Sequence, residues 1–150
     1  MFGSALHASA AYRRLAIESA ALGADRHQLI GLLFAGVLSA IGQARQALAQ
    51  GDMLAKAEAS SRASRLVSEG LLAAVDRSSG ALGEQLYQLW DYCGRRLLVA
   101  HLKKDDRIYE EVAQLVGRVS EAWAQIAPQG APAASAAPAA GAAAADRRAA

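Results

Sequence analysis

The sequence predicts an all-α protein, an antiparallel up-down four-helix bundle, and three observations carry this prediction. The three prolines, Pro128, Pro132 and Pro138, all follow Ala127, so the chain from Met1 to Ala127 lacks the strongest helix breaker. Runs of β-branched and aromatic residues with the alternation of strands are missing. Apolar residues instead recur with helical spacing in four stretches of roughly 20 to 26 residues. Short turns join these stretches, so neighbouring helices are expected to pack antiparallel.

The first long helix is expected to begin at Asp25 and to end near Gln50. Asp25 is a suitable N-cap, Gln28 completes a capping box, and Gly51 is a suitable residue after the C-terminus. Its predicted core stripe is Ile30, Phe34, Val37, Ile41, Ala44 and Leu48, widened by Leu29, Leu33 and Ala40 on one flank and Leu38 on the other. Leu32 points away from this stripe. It is either an isolated exposed leucine or part of a docking groove.

Residues 1–24 precede this helix and are rich in small side chains. Their apolar points are Tyr12, Leu15, Ile17 and Leu22. The spacing allows a short helix from about residue 8 to residue 18, but Ala, Ser and Gly give such a helix little surface to bury. We therefore expect an arm that lies against the body of the protein.

The second helix is predicted to be capped by Asp52 and to run to about Arg77, where a Ser-Ser-Gly turn follows. Its stripe is made of mostly small residues, namely Ser60, Ala63, Val67, Leu71 and Ala74. Small residues allow two helices to approach each other closely.

The third helix, from about Ala81 to Leu102, carries two patterned faces. A buried stripe is predicted through Leu82, Leu86, Leu89, Cys93 and Ala100, with Leu97 beside it. A second ridge consists of Tyr87, Asp91, Gly94 and Leu98, with Trp90 between the two faces and Arg95 and Arg96 adjacent. A plain surface helix would carry Lys, Glu and Gln on its outer face. This helix is therefore expected to serve its own core with one face and a partner with the other.

The fourth helix shows the most regular pattern in the chain. Its stripe is Ile108, Val112, Leu115, Val119, Ala122 and Ile126, flanked by Val116 and Trp123. Residues 128–150 are an Ala/Pro-rich stretch without large apolar groups, which predicts a disordered tail. The predicted organisation is thus an arm at residues 1–24, a bundle at residues 25–127 and a tail at residues 128–150.

Composition excludes several classes of function. The formal net charge of +2 is small and the charges are interleaved, so we expect neither a nucleic-acid partner nor a membrane surface. No continuous run of apolar residues is long enough to suggest insertion into a membrane, and the N-terminus does not resemble a signal peptide. Cys93 is the single cysteine, which rules out an internal disulfide and fits a reducing compartment.

No constellation of residues predicts catalysis, a metal or a cofactor. His7, His27 and His101 are far apart in sequence, and none has the Glu-x-x-His spacing of metal-binding bundles. Cys93 has no histidine at a neighbouring helical position to activate it, so it is expected to be a small core residue. One alternative is a phosphotransfer domain that uses His101, but its spacing to the following Leu-Lys is short by one residue and it lies in a last helical turn. We expect a protein that is not an enzyme.

The features left unexplained are apolar or aromatic and lie outside a simple core stripe. They are Leu32, the ridge of Tyr87, Trp90, Asp91 and Leu98, and the arm around Tyr12. Grooves lined in this way receive an amphipathic helix or an extended peptide. The alternative is that Tyr87, Trp90 and Trp123 complete the edge of the core with their polar atoms in water.

Several stretches, in the right order from about Ala11 to Trp123, resemble the FliS family of flagellin-specific export chaperones. They are Ala11-Tyr12, the first-helix segment DRHQLIGLLFAG at 25–36, the Gly51-Asp52 turn, LWDYCGRRL at 89–97, Glu110-Glu111-Val112 and Ala122-Trp123. The chain departs from the family pattern at several positions. Arg26 replaces a proline, Phe34 and Trp90 replace tyrosines, Ala35 replaces an aspartate and His101 replaces an asparagine.

The resemblance implies a cytoplasmic chaperone that binds the disordered C-terminal segment of flagellin. It would prevent premature polymerisation, keep flagellin competent for type III secretion, and hand it to a component of the export gate. The N-terminal arm would lie where flagellin binds and be displaced. The expected partner-binding residues are Tyr12, Leu15, Leu29, Leu32, Leu33, Phe34, Tyr87, Trp90, Asp91, Arg95 and Leu98. A helical-bundle adaptor for some other protein remains the alternative.

Overall fold

The structure is a computed structural model that describes residues 2–126, with the backbone alone described at residues 2–8 and 20. Every regular element within 2–126 is helical, which confirms the predicted all-α class. The described chain divides into two units, a helical segment that ends at His27 and a bundle from Gln28 to Ile126. The tail predicted at residues 128–150 lies outside the described residues.

Helix α1 runs without interruption from Phe2 to Gln50. The prediction that a first long helix begins at Asp25 is therefore wrong. Residues before Asp25 are mostly Ala, Ser, Leu, Arg and Glu without proline, and such a sequence lets the helical hydrogen bonds continue upstream. The potential capping groups of Asp25 and Gln28 consequently lie inside a helix. In the segment before His27, the side chains of Tyr12, Leu15, Ile17 and Leu22 are all exposed.

Within residues 2–126, one helix is apolar enough, by length and composition alone, to cross a membrane. The stretch Ser9–Gln50 contains an 18-residue window with a mean hydropathy of 1.4, of which 28% is buried. This window contains polar and small residues, so it is not the unbroken apolar run on which the sequence expectation rests. Core helices of soluble proteins pass the same test, so the property alone does not indicate a membrane span.

Helix α2 spans Met53–Arg65 and follows a turn at Gly51, whose φ is 74°. Asp52 caps it as predicted, since its Oδ1 accepts a hydrogen bond from the backbone N–H of Ala55 at 3.0 Å. The helix does not continue as a regular α-helix to Arg77. It changes at Leu66–Leu72 into a π-helical turn, and a 3₁₀ turn follows at Arg77–Ser79.

Helix α3 spans Ala81–Lys103 and helix α4 spans Asp106–Gln125. The tight turn between them has Lys104 in the left-handed region, with its N–H bonded to the carbonyl of Ala100. Asp105 caps α4 by accepting a hydrogen bond from the N–H of Arg107 at 3.0 Å.

Within Gln28–Ile126, four helical segments enclose one core and run antiparallel to their neighbours in sequence. Lys56 near the start of α2 contacts the carbonyl of His101 near the end of α3, whereas Val67 lies beside Gly94 in the middle of α3. The buried core residues are Phe34, Val37, Ala40, Ile41 and Ala44 from α1, Ala59, Ala63, Val67 and Leu71 from the second segment, Trp90, Cys93, Leu97 and Ala100 from α3, and Ile108, Tyr109, Val112 and Val116 from α4.

The core stripe of α3 differs from the prediction. The buried positions are Gly83, Trp90, Cys93, Leu97 and Ala100, with Leu86 and Leu89 partly buried. Leu82 is 68% exposed and is not a core residue. A side chain at Gly83 would collide with the carbonyl oxygen of Asp76, so the first turn of α3 packs its backbone, and not Leu82, against the preceding loop.

The core of α4 also differs at both ends. Tyr109, which the periodic pattern did not include, is completely buried. Ala122 and Ile126 were expected in the stripe but are exposed. Both lie in the last turn of α4 or just beyond it, where fewer neighbours remain to cover them.

Candidate partner-binding surface

Three of the predicted contact residues in the bundle are exposed leucines. Leu29 and Leu32 on α1 and Leu98 on α3 have exposed fractions of 57%, 62% and 56%. Leu33 is half-buried and packs against the core. Exposed leucines are common one at a time, but Leu29 and Leu32 are one turn apart and therefore form a local apolar surface on α1.

Phe34 and Trp90 lie in the core and not on the surface. Their exposed fractions are 2% and 3%, and their ring centroids are 5.7 Å apart in a tilted arrangement. Trp123 meets Phe34 edge-on at 6.4 Å. For Trp90 the structure thus shows the alternative role, that of a core aromatic. Neither Phe34 nor Trp90 offers its side chain to a partner in this structure.

Tyr87 is half-buried, and a neighbouring cation occupies its ring face. The guanidinium carbon of Arg77 lies 4.0 Å from the ring centroid, and Arg77 also pairs with Glu84 through two hydrogen bonds of 3.0 and 3.1 Å. This pairing raises the pKa of Arg77 and lowers the pKa of Glu84. Tyr87 therefore helps to attach the loop before α3 to the helix itself.

Asp91 and Arg95 form an ion pair within α3, at 2.9 Å and with i,i+4 spacing. Both side chains are largely exposed, so this pair contributes little to stability. The arginine that joins helices is instead Arg96, whose Nε donates to Glu111 of α4 at 3.0 Å. The hydroxyl of Tyr92 donates to the same carboxylate at 2.8 Å. The hydrogen bond from Tyr92 is the larger cause that lowers the pKa of Glu111, and the hydrogen bond from Arg96 lowers it further.

Tyr12 and Leu15 belong to the unit that ends at His27, and both side chains are exposed, at 76% and 60%. The predicted arm is therefore helical over its described length, with apolar side chains available on its surface. The expectation that it lies against the body stays a prediction.

Sequence reasoning did not single out Leu102 and Leu54, which are 70% and 72% exposed. Leu102 stands one turn after Leu98 on the outer face of α3, so that face ends in two exposed leucines. The i,i+4 spacing from Leu98 was the signal that could have identified Leu102.

A polar cluster lies at the end of the bundle where α2 begins and α3 ends. Lys56 is 2% exposed, and its ammonium donates to the carbonyl oxygen of His101 at 2.9 Å. Burial is the main cause that lowers the pKa of Lys56, and repulsion from Lys104 lowers it further. Nearby, the hydroxyls of Ser60 and Tyr109 share a buried hydrogen bond of 2.6 Å. Lys56 thus satisfies one of the last carbonyls of α3, and the two hydroxyls satisfy each other.

The described residues contain no cluster of three or more His, Cys, Asp or Glu side chains that could hold a metal ion. Cys93 is fully buried, and burial raises the pKa of its thiol to about 12, so it is held as an inert thiol. Nδ1 of His101 is buried without a hydrogen-bond partner. The candidate surface therefore offers a partner apolar contacts from its exposed leucines, with charged side chains beside them.

Fold and surface together define the class of protein: an all-α bundle whose outer helix faces carry exposed leucines. Comparison with known proteins then gives the family. The sequence model described as "Flagellar protein FliS" matches residues 8–130 of the chain, which therefore belongs to the FliS family of flagellar secretion chaperones.

Three named relatives span most of the chain. It is 44% identical to the flagellar secretion chaperone FliS of Salmonella typhimurium, over 79% of this chain and 89% of that protein. It is 35% identical to the flagellar secretion chaperone FliS of Escherichia coli, over 75% of this chain and 84% of that protein. A third relative, the flagellar secretion chaperone FliSB of Pseudomonas aeruginosa, is 31% identical over 79% of this chain and 94% of that protein.

Proposed function

We propose that this protein is a cytoplasmic, non-catalytic export chaperone for flagellin. It binds the C-terminal segment of flagellin, which is disordered before assembly. Binding prevents premature polymerisation and keeps the subunit competent for type III secretion. The single observation that carries this proposal is membership of a family whose relatives, up to 44% identical, are named flagellar secretion chaperones.

The exposed leucines of the bundle support an apolar mode of binding. A disordered client loses conformational entropy when it becomes ordered, so it needs a wide contact area and not one deep pocket. Leu29 and Leu32 on α1, and Leu98 on α3, supply apolar surface on separate helices. Leu33, which packs against the core, lies next to the leucines of α1 in sequence. Asp91 and Arg95 provide charged groups near Leu98 on α3. An extended client that contacts both helices would cover a large area.

The helical segment before His27 has a place in the same proposal. Tyr12 and Leu15 are exposed apolar residues of the kind that contact an apolar client or mimic one. We propose that this segment exchanges with flagellin during binding, and that the loaded chaperone then delivers flagellin to a component of the export gate. Aromatic anchors such as Tyr12 contribute strongly to such contacts.

A substitution at Leu32 tests the surface. Leu32→Asp places a charge on the apolar surface of α1, and we expect it to weaken binding of a flagellin C-terminal peptide by roughly tenfold or more, a change of about 1.4 kcal/mol. Leu32 is 62% exposed, so helicity and thermal stability should remain those of the wild type. Calorimetric titration measures the affinity, and circular dichroism checks the fold.

Leu54→Asp is the matched control for this experiment. Leu54 is 72% exposed in the first turn of α2, where an acidic residue suits the helix dipole. The Leu54→Asp protein should bind the peptide as the wild type does. Equal affinity for wild type and Leu32→Asp would remove Leu32 from the surface.

A further inference from the structure

Helix α1 and the π-helical turn approach each other closely at one glycine. The end of the Leu33 side chain lies over the backbone of Gly70, so that a Cβ atom at Gly70 would stand 2.8 Å from Cδ2 and 3.3 Å from Cδ1 of Leu33. Any side chain at this position would force Leu33 to move. We call this contact the Gly70 notch.

The notch lies in the irregular part of the second helical segment. Leu66–Leu72 form a π-helical turn, which is wider than an α-helical turn by one residue. Val67 and Leu71 of this turn are both in the core. The hydroxyl of Ser68 donates to the carbonyl of Ser64 at 2.9 Å, a side-chain bond that competes with the regular helical ladder. Turns of this kind are rare and are often found at functional sites.

A second close contact lies one turn along the same face. A Cβ atom at Gly36 would stand 3.2 Å from Cδ1 of Leu66, the first residue of the π-helical turn. Two leucines and two glycines therefore interlock, with each helix contributing one of each. This arrangement fixes both the depth and the direction of Leu33.

Leu33 is also a neighbour of the two exposed leucines of α1. Leu29 is its i−4 neighbour on the same ridge of the helix, and Leu32 is adjacent in sequence. In this arrangement, with the end of Leu33 over Gly70, Leu29 and Leu32 are 57% and 62% exposed. A Leu33 side chain pushed out of the notch would occupy the space beside Leu29 and change the shape of the apolar surface.

We propose that Gly70, within the π-helical turn, is a positioning residue for client binding that acts through Leu33. This inference rests on the proposed function and names the element that shapes the α1 part of the client surface. Gly70 itself does not need to touch the client. Its role is to keep the surface at Leu29 and Leu32 in the form that receives an apolar segment.

The test is calorimetric titration of wild type and Gly70→Ala with a flagellin C-terminal peptide. We expect Gly70→Ala to bind roughly tenfold more weakly while its circular dichroism spectrum stays helical. Gly42→Ala is the matched control, because Gly42 also lies in a helix but has nothing within 4 Å of an added Cβ atom. It should bind as the wild type does.

Rescue separates positioning from a merely structural role. Valine lacks the Cδ atoms that meet the added methyl group, so combining Leu33→Val with Gly70→Ala should restore affinity to within about threefold of Leu33→Val alone. A structural role alone would lower the unfolding temperature of Gly70→Ala and leave affinity at low temperature unchanged. Unchanged affinity of a folded Gly70→Ala protein would overturn the proposal.

A second pair of variants covers the case in which Gly70→Ala does not fold. Deletion of Glu69 shortens the π-helical turn by one residue at an exposed position, whereas Glu69→Ala keeps the length of the turn. We expect the deletion to weaken peptide binding and the substitution to leave it unchanged. Equal affinity for the deletion and the wild type would contradict the role of the turn.

Absence of binding by the folded wild type would instead reject the proposed function, and the positioning role with it.

Discussion

The pair Ser60 and Tyr109 shows how single polar groups are accommodated in this core. Both residues are buried, at 4% and 0% exposed, and their hydroxyls are 2.6 Å apart. Burial raises the pKa of Tyr109, although its hydrogen bond with Ser60 opposes the shift. Each hydroxyl is therefore the other's only replacement for water, and losing one leaves the second unsatisfied.

Tyr109→Phe is expected to lower the free energy of unfolding by about 1–2 kcal/mol, because Ser60 would keep a buried hydroxyl without a partner. Chemical denaturation with a constant m-value measures the change. The double variant with Ser60→Ala should lose less than the sum of the two single variants. Simple additivity would show that the two hydroxyls do not depend on each other.

At the same scale, the pattern of α1 predicts the exposure of Leu32 correctly, whereas the pattern of α3 does not predict the burial of Trp90. Leu32 stood outside its stripe and is exposed, because one-helix periodicity is enough to place it. Trp90 lay between two patterned faces of α3, and its burial depends on Phe34 of α1, which is far away in sequence. Tyr109 lies outside the predicted stripe of α4, and its burial depends on Ser60 of α2, which satisfies its hydroxyl. Such pairings become visible only when the helices are packed.

At the scale of elements, helix ends follow their sequence signals where these signals are strong. Asp52 and Asp105 cap α2 and α4 as side-chain acceptors. The long continuation of α1 before Asp25 was not predicted, because a capping signal was given more weight than the absence of a helix breaker. The π-helical turn at Leu66–Leu72 could not be predicted either, since its Leu66 and Gly70 pack closely against Gly36 and Leu33 of α1, which are far away in sequence.

Ion pairs connect α4 to α1 and to α3. Arg45 of α1 donates to both carboxylate oxygens of Asp106, at 2.7 and 2.9 Å. The Arg45 hydrogen bond lowers the pKa of Asp106 from its ordinary value of 3.8. The stabilisation is therefore present above pH 3.8 and is lost as the pH falls through the lowered pKa of the folded state.

Asp106→Asn is expected to reduce the free energy of unfolding at pH 7 by about 0.5 kcal/mol, a small value because solvent screens these largely exposed groups. The difference between wild type and variant should vanish as the pH falls below the lowered pKa of Asp106. Thermal unfolding of both proteins across this pH range measures it. A difference that is the same at neutral and at strongly acidic pH would show that the ion pair is not its source.

At the scale of the whole molecule, the bundle combines a well-filled core with outer faces that remain apolar in places. The core needs Phe34, Trp90 and Tyr109 to fill the space between helices whose stripes are otherwise rich in alanine. Leu29, Leu32, Leu98 and Leu102 contribute nothing comparable to that core and remain exposed. This division is what a chaperone for an unfolded segment requires, because its own fold must persist whether or not the client is bound.

We propose that this protein binds the C-terminal segment of flagellin through apolar contacts. Calorimetric titration of the wild type at several temperatures tests this claim most directly. We predict one-to-one binding with a clearly negative heat-capacity change, because apolar surface leaves water on both partners. A folded, helical protein that releases or takes up no heat and does not retain the peptide in an independent binding assay would contradict the claim. The same bundle would then be an adaptor for another protein.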